Sequence, residues 1–236
     1  MLPKAILFDM DETLLTNTIP IDAAWHHACE TSAKKTDNFK PEELEHQLSI
    51  VREWYWSDPE RHRLGRLNLL RARTEVVRMA LERLGCSDEQ SSAAIAMDYS
   101  LLIDRSLDYF PDAEDTLRHL VKKGVKLALL TNGAGEVQQE KIKRFGFSRY
   151  FPVRLIEGEL GFGKPDRRVF EQALRILDVK PQQAWMVGDD LKRDIAGAQQ
   201  AGIYSIWCDY EKKGLPEGTN IQPDKIICNI AELLSL

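Results

Sequence analysis

Apolar residues along this chain follow two rhythms. Short unbroken runs at Lys4–Phe8 (KAILF), Val125–Leu130 (VKLALL), Ala184–Val187 (AWMV) and Ile203–Trp207 (IYSIW) have the length and continuity of strands buried on both faces. Phe151–Ile156 and Lys225–Ile227 are weaker examples. Between them Asp112–Lys123, Glu136–Phe145, Arg167–Leu177 and Ile195–Ala201 read as helices, with Gly124, Gly146 and Gly202 placed just past helix ends. Strand and helix alternate from about residue 108 onward. That order predicts an α/β fold, a parallel sheet with helices on both faces and right-handed crossovers.

The stretch from Ile19 to Leu107 has a different rhythm. It lacks strand runs and is rich in Ala, Leu, Glu and Arg, which favour helix. Pro20, Pro41 and Pro59 stand near expected helix starts. Leu67, Leu70, Val77, Leu81 and Leu84 recur at roughly helical spacing. About four helices are therefore expected, inserted between the first strand and the rest of the sheet. The expected domains are residues 1–18 with 108–236 as the core, and 19–107 as the insertion. Hinges are expected near 14–20 and 105–111, Pro111-Asp112 marking the return to the core.

Composition narrows the function classes. Of 236 residues 43% are hydrophobic and 29% charged, as in a packed globular protein. The formal net charge of −5 gives no overall attraction to nucleic acid or to an anionic membrane. No apolar stretch is long enough to span a bilayer, and Lys4, Asp9, Asp11 and Glu12 interrupt the opening segment where a secretory signal would be apolar. Cys29, Cys86, Cys208 and Cys228 are far apart and form no CxxC pair, as expected of thiols in a reducing compartment. A cytoplasmic protein with a small-molecule partner is the expectation.

Four short motifs fall at strand ends: Asp9-Met10-Asp11-Glu12-Thr13, Leu130-Thr131-Asn132-Gly133, Gly163-Lys164-Pro165, and Gly188-Asp189-Asp190 with Asp194 beyond. The C-terminal edge of a parallel sheet is where ligands bind. Asp9, Asp11 and Asp189 would crowd negative charge into one crevice, which a hard cation such as Mg2+ would neutralise through oxygen ligands. Lys164 and the backbone N–H groups around Met10 and Gly133 add positive potential for a phosphate. A carboxylate nucleophile would form an acyl phosphate while a second carboxylate handles the proton, and Asp9 and Asp11 suit those roles. Each motif alone has a plainer reading: a turn for TNG, a solvated lysine for Lys164, a helix cap for Asp190. Their joint occurrence in order carries the catalytic reading.

These motifs resemble the signatures of the haloacid dehalogenase superfamily of phosphohydrolases: DxDxT, TNG, the lone lysine and GDxxxxD. The resemblance covers the core and implies a Rossmann-like parallel sheet with an inserted α-helical cap that sets specificity. It implies Asp9 as nucleophile, Asp11 as acid/base, and Thr131 and Lys164 holding the phosphoryl group with the Met10, Asn132 and Gly133 segment. It also implies that Asp9, the Asp11 carbonyl and Asp189 ligate Mg2+, and that Asp194 organises metal waters or Lys164, with Asp190 nearby. The stretch from TNG to the end of GDDLKRDIAGAQQAG is loosely similar to the N-acylneuraminate-9-phosphatase branch and to bacterial nucleotide and sugar phosphatases. The expected function is hydrolysis of a small phosphomonoester, a sugar phosphate or nucleoside monophosphate. Phosphomutase or dehalogenase chemistry, or an idle phosphate-binding module, are the alternatives. Asp11 argues against a dehalogenase, since a departing halide needs no proton. Lys34, Lys35 and Lys40 have no context resembling a Schiff-base lysine.

Other residues carry less. Arg61, Arg63, Arg66, Arg71, Arg73, Arg78 and Arg83 are expected to line a solvated helix face with Glu60, Glu75 and Glu82. Trp54-Tyr55-Trp56 is expected to anchor helices to one another more readily than to stack on a ligand. His26 and His27 are adjacent and cannot share a helix face; His46, His62 and His119 are isolated.

Overall fold

The computed structural model describes residues 2–34, 38–86 and 88–236, in two compact units: residues 1–16 with 109–236, and residues 17–108. In chain order the elements are β1 (Ala5–Phe8), β2 (Leu15–Asn17), α1 (Ile21–Ala33), α2 (Pro41–Ser57), α3 (Pro59–Arg66), α4 (Leu69–Arg83), α5 (Glu89–Arg105) and β3 (Leu107–Tyr109). Then follow α6 (Ala113–Lys122), β4 (Lys126–Thr131), α7 (Gly135–Arg144), β5 (Val153–Ile156), α8 (Glu157–Leu160), α9 (Arg167–Leu177), β6 (Ala184–Gly188), α10 (Gly197–Gln200), β7 (Tyr204–Cys208) and β8 (Lys225–Ile227).

The core unit is built on a six-stranded sheet in the order β5-β4-β1-β6-β7-β8, with all neighbouring strands parallel. Leu7 in the central strand stands opposite Ala128 on one side and Met186 on the other. Successive side chains point to opposite faces. Ala5, Leu7, Ala128, Leu130 and Met186 pack with Val169, Phe170, Ala173 and Leu174 of α9. Ile6, Phe8, Leu127 and Leu129 are buried on the other face, where Phe8 meets Phe151 edge-on at 6.0 Å between centroids. Burial on both faces explains why these strands are continuous apolar runs. From β1 the sheet order runs out through β4 to β5; from β6 it runs the other way to β7 and β8. The strand order therefore reverses between β1 and β6, and a crevice opens there at the carboxyl ends of a parallel sheet.

The helical unit has its own core. Val76, Val77, Ala80 and Leu81 of α4 pack with Ile95, Ala96 and Tyr99 of α5 and with Leu44, Leu48 and Val51 of α2. Trp25 stacks on Tyr99 at 3.8 Å, joining α1 to α5. Asp58 and Asn68 cap α3 and α4 by accepting the backbone N–H of Arg61 and Arg71, while Pro41 and Pro59 take first-turn positions. Among the described residues there are five helices here, where about four were expected. Leu64 and Leu70 are exposed, because the helix breaks at Asn68 and the Val77–Leu84 part of the apparent repeat is what faces the core.

The segments 14–20 and 105–111, expected as hinges, contain the paired strands β2 and β3. The helix expected at Ile195–Ala201 begins earlier, as a π-helical turn over Leu191–Ala196 that leads into α10. Gly124, Gly146 and Gly202 take positive φ at helix ends, as expected. Among the described residues no helix is long and apolar enough to cross a membrane, and all four cysteines are free.

Candidate active site

Asp9 and Asp189 follow the last residues of β1 and β6 and so flank the crevice where the strand order reverses. Thr131 ends β4, and Lys164 lies in the loop before α9. Folding brings Asp9, Asp189 and Asp194 together, with one carboxylate oxygen from each within 4.8 Å of the others. Lys164 is buried between two of them, its Nζ 2.5 Å from Asp9 Oδ1 and 2.7 Å from Asp194 Oδ1. Thr13 Oγ1 donates toward Asp9 Oδ2 at 3.3 Å and lies 3.4 Å from Asp189 Oδ1. The Trp207 indole N–H donates to the Asp189 carbonyl at 2.6 Å and fixes the loop that carries this carboxylate.

The electrostatics of this cluster point to a cation. Burial, followed by the charges of Asp9 and Asp194, pushes the Asp189 carboxyl up to about 9. Burial also raises Asp194, to about 6, against the pull of Lys164. Burial disfavours the charge on Lys164, yet the Asp194 and Asp9 carboxylates hold it above the usual lysine range. One ammonium does not balance three carboxylates. An all-oxygen donor set with this surplus charge fits a hard divalent ion.

Backbone geometry makes the crowding possible. A Cβ at Gly188 would sit 2.3 Å from Asp194 Oδ2, so only glycine fits where β6 meets that carboxylate. Asp190 caps the following turn, accepting the N–H groups of Lys192 and Arg193 at 2.9 and 2.7 Å, and pairs with the Arg193 guanidinium. Its N–H donates to Asp194 Oδ2. These contacts of Asp190 are those of a helix cap.

The remaining expected residues divide. Asn132 clasps the backbone of Lys164, its Oδ1 accepting the N–H at 2.9 Å and its Nδ2 donating to the carbonyl at 2.7 Å. The Gly133 N–H, expected to face a phosphate, donates instead to the buried Glu157 carboxylate at 3.1 Å. Met10 is buried. The Asp11 side chain is not in the carboxylate cluster; its oxygens receive Lys141 Nζ at 2.6 Å and Gln138 Nε2 at 2.9 Å. Gln138, Lys141, Glu157 and Thr13 were given no role from sequence. For Gln138 and Lys141 the available signal was a three-residue spacing on the helix that opens after TNG, which places both on one face.

Several arginines of the helical unit have partners within that unit. Arg63 bonds Glu60, Arg78 bonds Glu75 and Glu82, Arg83 bonds Gln47 and Arg73 bonds Ser100. Arg61 stacks on Trp54 at 3.8 Å and bonds the Trp54 and Tyr55 carbonyls, so the aromatic triplet fastens α3 to α2. Lys35 lies outside the described residues.

A parallel sheet with a buried aspartate at the end of its central strand, a lysine between carboxylates and an inserted helical cap defines a hydrolase of the aspartate-nucleophile class. The family model of haloacid dehalogenase-like hydrolases matches residues 3–202, and the chain belongs to that family. A glyceraldehyde 3-phosphate phosphatase of Methanopyrus kandleri is 34% identical over 86% of this chain and 82% of its own. A phosphoserine phosphatase of Thermus thermophilus is 37% identical over 68% of this chain, a match that spans 63% of the relative's length. The crystal structure of the Bacillus subtilis hydrolase YfnB superposes over all of this chain and 98% of its own with TM-score 0.74 at 20% identity, a likeness of fold.

Proposed function

We propose that this chain hydrolyses a small phosphomonoester by passing the phosphoryl group through Asp9. The observation that carries the reading is the placement of the Asp9 carboxylate: buried at the end of β1, bonded to Lys164, beside Asp189 and Asp194. Asp9 and Asp189, with the backbone carbonyl of Asp11, would hold Mg2+, the ion present in the B. subtilis relative's structure. Bound there, the ion supplies charge neutralisation for the transferring phosphoryl oxygens.

In the first step an Asp9 carboxylate oxygen attacks phosphorus, the bond to the leaving oxygen breaks, and Asp11 gives that oxygen a proton. Lys164 and the Thr131 hydroxyl hold the phosphoryl oxygens. In the second step Asp11 takes a proton from water, whose oxygen attacks phosphorus. The bond to Asp9 breaks, phosphate departs and the Asp9 carboxylate is restored. Asp194 keeps Lys164 in place, and Asn132 fixes the backbone from which Lys164 projects. The M. kandleri and T. thermophilus relatives are phosphatases of small metabolites by name, which supports a substrate of that class.

The test is phosphate release from sugar phosphates, nucleoside monophosphates, phosphoserine and p-nitrophenyl phosphate, with and without Mg2+, by wild type and Asp9→Asn. Release that requires both the ion and Asp9 is expected. Release that survives in Asp9→Asn would overturn the reading, and a phosphorylated isomer as product would make the enzyme a mutase.

A further inference from the structure

Asp11 must give up a proton in one half of the cycle and take one in the other, so its carboxyl has to be aimed as well as present. Backbone hydrogen bonds from Glu12 to Leu15 and from Leu14 and Leu15 to Met10 hold the turn that carries it, but they do not reach the carboxyl. The next residue, Glu12, has a positive φ of 58°, and the Asp11 side chain is partly open to solvent. What restrains the carboxylate comes from α7, whose residues Gln138 and Lys141 lie on one face. Lys141 Nζ takes Oδ1 at 2.6 Å. Gln138 Nε2 takes Oδ2 at 2.9 Å and also bonds Thr131 Oγ1 at 2.5 Å and the Asn132 carbonyl at 3.2 Å.

Gln138 is buried, with 2% of its surface exposed, which a glutamine tolerates only when its amide is satisfied. Here that amide ties the Asp11 carboxylate to the Thr131 hydroxyl at the end of β4. Both carboxylate oxygens are thereby fixed relative to the strand end where the phosphoryl group is expected to sit. Charge-assisted hydrogen bonds of this length are among the stronger ones available to a side chain. A displacement of about 1 Å in a reacting group costs on the order of 100-fold in rate.

We propose that Gln138 and Lys141 are positioning residues, held by α7, that aim the Asp11 carboxyl at the leaving-group oxygen. The proposal rests on the reading of Asp9 as nucleophile and Asp11 as acid/base. Neither residue touches the reacting atoms. Lys141 acts through Asp11, so its loss is felt where a proton must be delivered and is muted where the leaving group departs as a stable anion; Gln138 also holds Thr131, so its loss reaches phosphoryl binding as well.

The experiment compares kcat/KM on phenyl phosphate and p-nitrophenyl phosphate, two substrates of similar size whose leaving groups differ in their need for a proton. kcat/KM reports the step in which the leaving group departs. Lys141→Met is expected to lose about 10-fold on phenyl phosphate and less than about 3-fold on p-nitrophenyl phosphate, a fraction of the 10²-fold or more that general acid catalysis contributes, and Gln138→Leu to lose activity on both but more on phenyl phosphate. Lys141→Arg, which keeps a donor and a charge, is expected to recover most of the loss. Adding Lys141→Met to Asp11→Asn should cost little more than Asp11→Asn alone. Equal losses on both substrates, or no loss on either, in an enzyme that Asp9→Asn inactivates would overturn the positioning role and leave Asp9 untouched. Hydrolysis surviving in Asp9→Asn would overturn both. Because Gln138 is buried and its replacement can perturb packing, the partly exposed Lys141 and its arginine rescue decide the matter.

Discussion

In the core unit Asp9, Lys164, Asp189 and Asp194 are packed against one another with little solvent between them. In the helical unit Arg63, Arg78 and Arg52 lie toward the surface beside Glu60, Glu75 and Asp22. Both regions are rich in ion pairs, but the pairs cost different things. An exposed pair contributes about 0–1 kcal/mol and is easily spared. A buried cluster gives up hydration that its mutual attraction only partly restores, and breaking it leaves an uncompensated charge. A protein that keeps three carboxylates and one ammonium in such a place, and opens it at the reversal of strand order, holds them for chemistry.

The contrast can be tested by breaking each side of it. The largest effect is expected from Asp9→Asn, which should lower phosphate release by more than about 1,000-fold while leaving thermal unfolding close to that of wild type. Lys164→Met removes the ammonium that lies between the buried Asp9 and Asp194 carboxylates. It should abolish activity and destabilise the metal-free protein by about 3 kcal/mol in urea titration, most strongly at high pH where the carboxylates are charged. A loss no larger than that of a surface lysine would refute the electrostatic argument.

A smaller effect follows from protons. The Asp189 carboxyl is raised to about 9 in the folded, metal-free protein, against an unfolded value near 3.8. The folded state therefore binds more protons in between, and stability is lost as pH rises from about 4 through about 9. A bound divalent ion displaces that proton. Mg2+ should accordingly raise the thermal midpoint by a few degrees near pH 8 and by much less near pH 5, and Asp189→Asn should remove the difference. Equal stabilisation at both values would place the ion elsewhere. The smallest effect belongs to the helical unit: Arg63→Ala, which breaks the exposed pair with Glu60, should shift stability by less than about 1 kcal/mol.

The two regions were also unequally legible in sequence. Strands buried on both faces are continuous apolar runs, so β1, β4, β6 and β7 stand out in KAILF, VKLALL, AWMV and IYSIW. By contrast β2 (LTN) and β3 (LDY) bury only Leu15 and Leu107 and leave no periodic trace. The π-helical turn after β6 begins in LKRD, whose polarity hides it, although Asp190, which accepts the Lys192 and Arg193 N–H groups, was legible as a cap. In the helical unit the apolar string LGRLNLL reads through the break at Asn68, because a capping asparagine looks like any polar surface residue until its N–H partner is known.

At the site, Asp9 and Asp189 were legible from their positions just past a strand, and Lys164 and Asp194 as members of an ordered set of motifs. The residues that act through others were not. Gln138, Lys141 and Glu157 belong to none of the four motifs, and only the fold carries them to Asp11 and to the Gly133 N–H. Asn132 was legible as part of a motif, but its clasp on the Lys164 backbone is a tertiary contact between segments 32 residues apart.

The most direct measurement is to quench the wild-type enzyme with acid during turnover of p-nitrophenyl phosphate with Mg2+, digest it, and locate any phosphoryl group by mass spectrometry. A single phosphoryl group on Asp9, absent in Asp9→Asn and removed by hydroxylamine, is expected. Rapid phosphate release with no label on Asp9, or with the label on another residue, would contradict Asp9 as the nucleophile.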